Sequence, residues 1–317
     1  MQARSVQCVI ITVMLLTAIG SNRASAQLSE TTAFLADLQN QYRVLPDVTY
    51  HIANGHENKL DLYLPRNTDV ATPVLMFFHG GGWVAGVKDS HQLWFLPYLE
   101  MGWAVVNVGY RLGEVSRAPA AVEDCLCALR WVSRNAERYN LDMSRIVTTG
   151  NSAGGHLALT TGMIPSSTGL DLECAELSFA GPPKADPVRV AAVINWYGVT
   201  DVVELLEGPN AKGYAIQWLG SFGNRIDIAK RVSPLTYIRR DLPAILTIHG
   251  DADPIVPYQH AVRLREGLNS VEVPNYLHTV RGGGHGGFST KETIAIYEMI
   301  QRFLGQHVLK DFGSISP

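Results

Sequence analysis

An α/β fold built on a mostly parallel sheet is what this sequence predicts, and three observations predict it. Apolar runs of strand length alternate with segments of helical spacing along most of its 317 residues. Parallel strands need that order, because each is joined to the next through a crossover, usually a helix. One run, VLMFF at 74–78, is apolar without a break, as expected of a strand covered on both faces. Glycine clusters follow two of the runs, HGGG at 79–82 and GNSAGG at 150–155, and loops at the carboxyl ends of parallel strands are where such sheets carry reactive groups.

The elements follow in order. Residues 27–45 read as a short helix or an ordered tail. VTYHI (48–52) and KLDLYLP (59–65) alternate like half-buried strands, with ANGHEN as the turn between them, which makes the entry to the sheet antiparallel. After VLMFF come a strand at 103–111 (WAVVNVGYR), a long amphipathic helix at 118–140 with Pro119 near its start, and a strand at 145–151 (RIVTTGN). Residues 153–163 have helical spacing, and 165–188 form a polar, proline-bearing break. Strands are then predicted at 188–198 (VRVAAVINWYG), 244–250 (AILTIHG) and 275–280 (NYLHTV), with helices at 258–268 and 290–308. Residues 27–317 read as one domain, in which 199–235 is a lid-like insertion between two strands.

Composition narrows the function classes. With 46% hydrophobic and 17% charged residues, the chain can bury a large core. The net charge of −3, without any block of like charges, offers no footprint for nucleic acid. The first 26 residues read as a secretory signal peptide: Arg4, the apolar run VQCVIITVMLLTAIG, then ASA at 24–26. Interrupted by Gln7, Thr12 and Thr17, that run falls short of the roughly 20 apolar residues of a spanning helix, so no stable membrane insertion is expected. The mature protein is expected to be secreted or periplasmic. Cys125, Cys127 and Cys174 then remain; either of the first two could pair with Cys174, or all three could be small buried residues. There is no C-x-x-C or H-E-x-x-H, and no metal is expected.

The chemistry gathers at Ser152. Gly150-Asn151-Ser152-Ala153-Gly154 is a G-x-S-x-G between a predicted strand and a predicted helix, the sharp turn that lifts a serine hydroxyl clear of the sheet. A serine capping a helix would look similar in isolation. The second glycine loop tips the balance, since acyl transfer needs main-chain N–H donors for a tetrahedral oxyanion, and Gly81, Gly82 and Ala153 are assigned to that hole. A dinucleotide site at Gly80-x-Gly82-x-x-Ala85 fails, because the next strand does not end in an acid. A serine nucleophile needs a base and an orienting acid. Of ten histidines, His285 in RGGGHGGF follows the last predicted strand. His79 and His249 read as loop braces and His156 as support for its helix. In HGDADPIVP, Asp253 is preferred over Asp251, which suits the turn, with Asp201 as an outside candidate.

On LDLYLP, FFHGGGW, YRL, GNSAGGHLAL, HGDADPIVP and GGGHGGF the sequence resembles the α/β-hydrolase superfamily, and within it the esterases grouped with hormone-sensitive lipase and the secreted carbohydrate-active carboxylesterases. The resemblance spans nearly the whole mature chain. It implies the α/β-hydrolase fold with a mostly parallel eight-stranded sheet flanked by helices, a Ser-Asp-His triad falling on Ser152, Asp253 and His285, and no cofactor. It implies structural roles for Asp124 and Trp131. Asn151 departs from the Asp or Gly of many relatives, as does YRLGEVSRAP from a more proline-marked segment. The function expected is a serine carboxylesterase, acting on a small-molecule ester or on acetyl or feruloyl groups of plant polysaccharide. A peptidase or amidase of the same fold and a non-catalytic binding protein are the rivals. Trp83, Trp196, Tyr197, Tyr214, Trp218 and Phe222 could line a pocket or simply pack.

Overall fold

The computed structural model describes residues 29–66, 68–174 and 188–309. The expected signal peptide, 1–26, lies outside them. The chain divides into two units, Met1–Asp37 and Leu38–Pro317. Helix α1 (Glu30–Gln41) is mostly exposed, and all eight strands belong to the second unit.

Those strands are β1 (Tyr42–Ala53), β2 (His56–Pro65), β3 (Thr72–Phe78), β4 (Ala104–Val108), β5 (Leu141–Asn151), β6 (Ala192–Trp196), β7 (Ala244–Gly250) and β8 (Asn275–Val280). They form one sheet in the order β1-β2-β4-β3-β5-β6-β7-β8. β2 is antiparallel to both neighbours, while β4, β3 and β5 to β8 pair in parallel. The antiparallel hairpin β1–β2 follows from its short turn, since Asn54 and Gly55 both take positive φ. β3, β4 and β7 are buried at nearly every position, which is why their sequences are mostly apolar and do not alternate.

Helix α3 (Ala120–Tyr139) returns the chain from β4 to β5. Its buried Ala121, Cys125, Ala128, Val132 and Ala136 recur at helical spacing, and it ends where Asn140 turns left-handed. Helix α4 (Ala153–Met163) is buried almost throughout. It therefore carries no charged residue, and burying side chains such as Leu157 and Leu159 stabilises the fold by roughly 1.5–3 kcal/mol each. The remaining helices are α2 (Leu96–Glu100), α5 (Gly213–Leu219), α6 (Arg225–Arg231), α7 (Gln259–Ser270) and α8 (Thr290–Leu304). Residues 199–235, read as an insertion, hold α5, α6 and short 3-10 turns between β6 and β7. Among the described residues no helix is long and apolar enough to cross a membrane.

One feature lies outside the sequence reading, and one choice it left open is decided. The connection from β3 to β4 is a kinked 3-10 stretch, Lys88–Phe95, that runs into α2. Of the two open cysteine pairings, Cys127–Cys174 forms the disulfide, leaving Cys125 free and buried.

Candidate active site

The parallel strands β3, β5, β7 and β8 end on the same edge of the sheet, and each is followed there by one part of the site. After β5 the chain turns at Ser152 with φ 57° and ψ −120°, a conformation that a non-glycine residue holds only when its surroundings fix it. The Ser152 N–H donates to the Trp196 carbonyl (2.9 Å) and its carbonyl accepts from the His156 N–H (3.0 Å). Its side chain caps no helix amide, so the reading as a helix cap is excluded. The flanking glycines are explained by proximity. A Cβ on Gly154 would lie 2.0 Å from the Phe78 carbonyl oxygen, so the elbow seats against the end of β3 only because no side chain intervenes.

Ser152 Oγ is 2.8 Å from His285 Nε2, and His285 Nδ1 is 2.7 Å from Asp253 Oδ2. An ionised carboxylate only accepts, so Nδ1 carries the ring proton, Nε2 is the free acceptor, and the serine hydroxyl donates to it. Asp253 has no exposed side-chain surface. Its Oδ1 accepts from the amides of Ile255 (2.8 Å) and Val256 (3.0 Å). Burial alone would raise its pKa, but hydrogen bonds from His249 and His285 and from the Ile255 amide hold it well below the usual carboxylate range. It is therefore ionised wherever His285 can act as a base.

The sequence reading took His249 as a loop brace and did not place it against the acid. His249 Nε2 lies 3.2 Å from Asp253 Oδ2 and 3.0 Å from the Val256 carbonyl oxygen, and both are acceptors, so that nitrogen carries a proton. The i, i+4 spacing in HGDAD was the available signal. Asp251 organises the turn by accepting from the Gly282 amide (2.6 Å). Asp201 lies instead beside Arg263 and the His260 ring.

The glycine loop after β3 faces the same hydroxyl. A cavity of about 340 Å³ is lined by Gly80, Gly81, Gly82, Ser152, Tyr214 and His285, with His91, Asn151 and Ile255 around it. Gly81 has φ 121°, and a Cβ there would meet the Ala85 carbonyl oxygen at 2.0 Å, so the turn that presents these amides excludes any side chain. Neither the Gly81 nor the Gly82 N–H donates to a main-chain acceptor among the described residues. Ala153 is the first residue of α4, where the N–H has no intrahelical partner and the helix dipole favours negative charge.

His156 and His79 act as braces. His156 accepts from Trp83 Nε1 (3.1 Å) and bonds the Val232 carbonyl (2.6 Å); burial lowers its pKa to about 3. His79 lies 2.8 Å from the Gly80 carbonyl oxygen beneath the glycine loop, with a pKa lowered by burial to about 4. Among the aromatics, Tyr214 lines the cavity, whereas Trp83 and Trp218 are wholly buried and stacked at 4.1 Å. Phe222 is exposed and lines no part of this cavity. Tyr197, with φ 40°, sets its ring 4.6 Å from that of His285. Asp124 and Trp131 are both buried, the former against Arg111 and Asn58.

Together these groups can deprotonate a hydroxyl as it attacks a carbonyl and can receive the resulting oxyanion. The chain is similar to several known ester hydrolases. Ethyl acetate hydrolase of Pseudomonas putida is 35% identical over 145 residues, 44% of this chain and 45% of that protein. Esterase LipQ of Mycobacterium tuberculosis is 28% identical over 265 residues, 79% of this chain and 60% of LipQ. The chain thus spans about half the length of these two relatives. A truncated carbohydrate esterase from gut microbiota superposes with a TM-score of 0.66 at 26% identity, covering 83% of this chain and 97% of that one. A family model described as TAP-like protein matches residues 226–313. The model described as BD-FAE matches residues 60–268, more than half of the chain, and the protein belongs to that family within the α/β-hydrolases.

Proposed function

We propose that the protein hydrolyses carboxylic esters through a covalent acyl-enzyme on Ser152. The observation that carries this reading is the connected run of hydrogen bonds from Ser152 Oγ through His285 to Asp253, at the wall of a cavity also lined by Gly81 and Gly82. Ser152 Oγ attacks the ester carbonyl carbon and passes its proton to His285 Nε2. The carbonyl oxygen becomes an oxyanion facing the amides of Gly81, Gly82 and Ala153. The intermediate collapses, the alkoxide leaves with the proton from His285, and water repeats the sequence on the acyl-enzyme. Asp253 holds the imidazole in the required tautomer and stabilises its charged form.

The finer substrate reading is an acetyl or feruloyl ester of plant polysaccharide. It is supported by the similarity to a carbohydrate esterase and by the expected export of the mature chain, whose N-terminal sequencing should begin at Gln27. The test of the activity is a comparison of aryl acetates, methyl ferulate, acetylated xylan and an aminoacyl anilide. Esters should turn over and Ser152→Ala should abolish the reaction. Turnover of the anilide alone would replace the esterase with an amidase.

A further inference from the structure

We propose that Tyr197 is a positioning residue for the proton relay, one that holds the His285 imidazole in register with Ser152 and favours the charged ring formed at each proton transfer. The proposal rests on the ester-hydrolase reading for its reaction and gives Tyr197 a part in it beyond packing.

The backbone places the residue. β6 ends at Trp196, whose carbonyl accepts from the N–H of Ser152 (2.9 Å), and the Tyr197 N–H donates to the Ile248 carbonyl of β7 (2.7 Å). The Asn195 side chain closes the turn by accepting from the Gly198 N–H (2.9 Å). One short turn is thereby tied both to the elbow and to the strand that leads to His249 and Asp253. Between these ties Tyr197 holds φ at 40°. A bulky residue keeps a positive φ only where its surroundings fix it, and such strain gathers at working sites.

The turn sets an aromatic ring against the relay. Tyr197 is 2% exposed, and its ring centroid lies 4.6 Å from that of His285, with the planes at 59°, and 6.4 Å from that of His249. It therefore neighbours both imidazoles that face Asp253. Phe288 and Trp94 pack around it at 6.1 and 6.5 Å. The loop of the base is shaped to it as well. A Cβ on Gly286 would lie 2.7 Å from the Tyr197 hydroxyl oxygen, so the residue after His285 comes this close to the phenol only because it is glycine. Burial raises the phenol pKa well above its ordinary value, so the hydroxyl stays protonated and does not compete as a base.

The ring is matched to one form of the imidazole. His285 is neutral when it accepts from Ser152, and it is a cation until the leaving oxygen takes its proton. The titratable groups about it are Asp253 on Nδ1, His249 on the same carboxylate oxygen, and His91 and Tyr214, which line the same cavity; among the described residues no lysine or arginine lines it. An aromatic ring within about 6 Å attracts a cation through its quadrupole, more strongly where water is excluded. Neutral imidazole gains no such attraction. The contact is thus stronger in the transition state than in the ground state, which is the difference that raises kcat and leaves KM alone. Packing by itself would not distinguish the two forms.

The test compares Tyr197→Phe, Tyr197→Leu and the protein carrying 3,4,5-trifluorophenylalanine at position 197, whose ring keeps its shape and loses its negative face. Turnover of p-nitrophenyl acetate is followed against pH, and the His285 ring is titrated by NMR without substrate. Tyr197→Phe keeps the ring and should retain most of kcat. Tyr197→Leu should lower kcat by about tenfold with KM within about twofold, and should move the acid limb and the NMR midpoint down by about one pH unit. The trifluorinated protein should fall between these two at the melting temperature of Tyr197→Phe, a comparison that stands even if Tyr197→Leu does not fold. A trifluorinated protein equal to Tyr197→Phe in kcat and midpoint overturns the proposal, as does a Tyr197→Leu protein whose kcat falls with no movement of either midpoint. Absence of ester turnover in wild type, with the NMR midpoints still moving as stated, would instead overturn the hydrolase reading.

Discussion

Asp124 and Asp253 are both acids without exposed side-chain surface, yet they are held in opposite ways. Asp124, on α3, is clamped by the Arg111 guanidinium (2.8–3.0 Å), by the Arg111 amide (2.8 Å) and by Asn58 (3.1 Å). Burial pushes its pKa up and Arg111 pulls it back only in part. Asp253, after β7, has no Lys or Arg paired with it among the described residues; two imidazoles and two main-chain amides supply its hydrogen bonds and hold its pKa well down. The first charge is cancelled where it sits, so it fixes α3 to the β2 and β4 edge and does nothing more. The second is left directed at His285.

That contrast can be broken by experiment. Asp253→Asn should lower kcat by about ten-thousandfold, because an amide can favour the wrong imidazole tautomer; the melting temperature should fall too, because the depressed pKa of Asp253 means that its ionised form stabilises the fold, but the loss of kcat is the larger effect. Steady-state kinetics and thermal unfolding on one preparation check both halves. Asp124→Asn should do the reverse. It removes the charged acceptor of the closest hydrogen bonds of Arg111, with Glu123 still 3.7 Å from the guanidinium, and should lower the unfolding free energy by roughly 1.5–3 kcal/mol in a denaturant titration. The kcat of the protein that remains folded should hold within about twofold. If Asp124→Asn instead loses activity at unchanged stability, the division of roles is wrong.

His249 sharpens the comparison. His249→Leu removes one donor from Asp253, so it should lower kcat by about tenfold and shift the acid limb of the pH–rate profile upward, as expected for loss of a hydrogen bond to a charged group. His249→Gln, which keeps a donor near Nε2, should restore most of both. An equal loss in the two variants would make His249 a packing residue only.

His156 extends the contrast to a buried base with no acidic partner among the described residues. Its pKa is lowered from the ordinary 6.5 to about 3, so the unfolded chain binds a proton between those values and the folded one does not. Stability from this group is present above pH 6.5 and is lost on acidification through that window, at about 1.4 kcal/mol per pH unit. His156→Gln should be less stable at pH 7 yet show a flatter decline between pH 6.5 and 4 in urea unfolding.

Much of this was legible in the sequence. β3 announces itself because a strand covered on both faces runs apolar, as VLMFF does, and the elbow does so because only glycine fits against the Phe78 carbonyl. Ser152, Asp253 and His285 each follow a strand end, so topology alone brings them to one edge. The stretch Lys88–Glu100 was not legible. It breaks at His91 and carries Pro97, so its short turns show no 3.6-residue period, yet it holds Leu93 and Trp94. The cysteine partner was undecided because Cys125 and Cys127 sit close together on one helix, and only tertiary packing turns Cys127 toward Cys174. The approach of His249 to Asp253 depends on the tightness of a loop, which residue spacing alone does not fix. Trp83 and Trp218 were left between pocket and packing, and they stack in the core because the helix after Gly213 tucks inward.

The most direct measurement is mass-spectrometric mapping of the adduct formed with a fluorophosphonate, which reacts with a serine only when a neighbouring base activates it. Wild type should carry one adduct, on the peptide containing Ser152; Ser152→Ala should carry none, and Asp253→Asn should label far more slowly. An adduct on any other residue, or ester hydrolysis that survives in Ser152→Ala, would contradict the relay from Ser152 through His285 to Asp253.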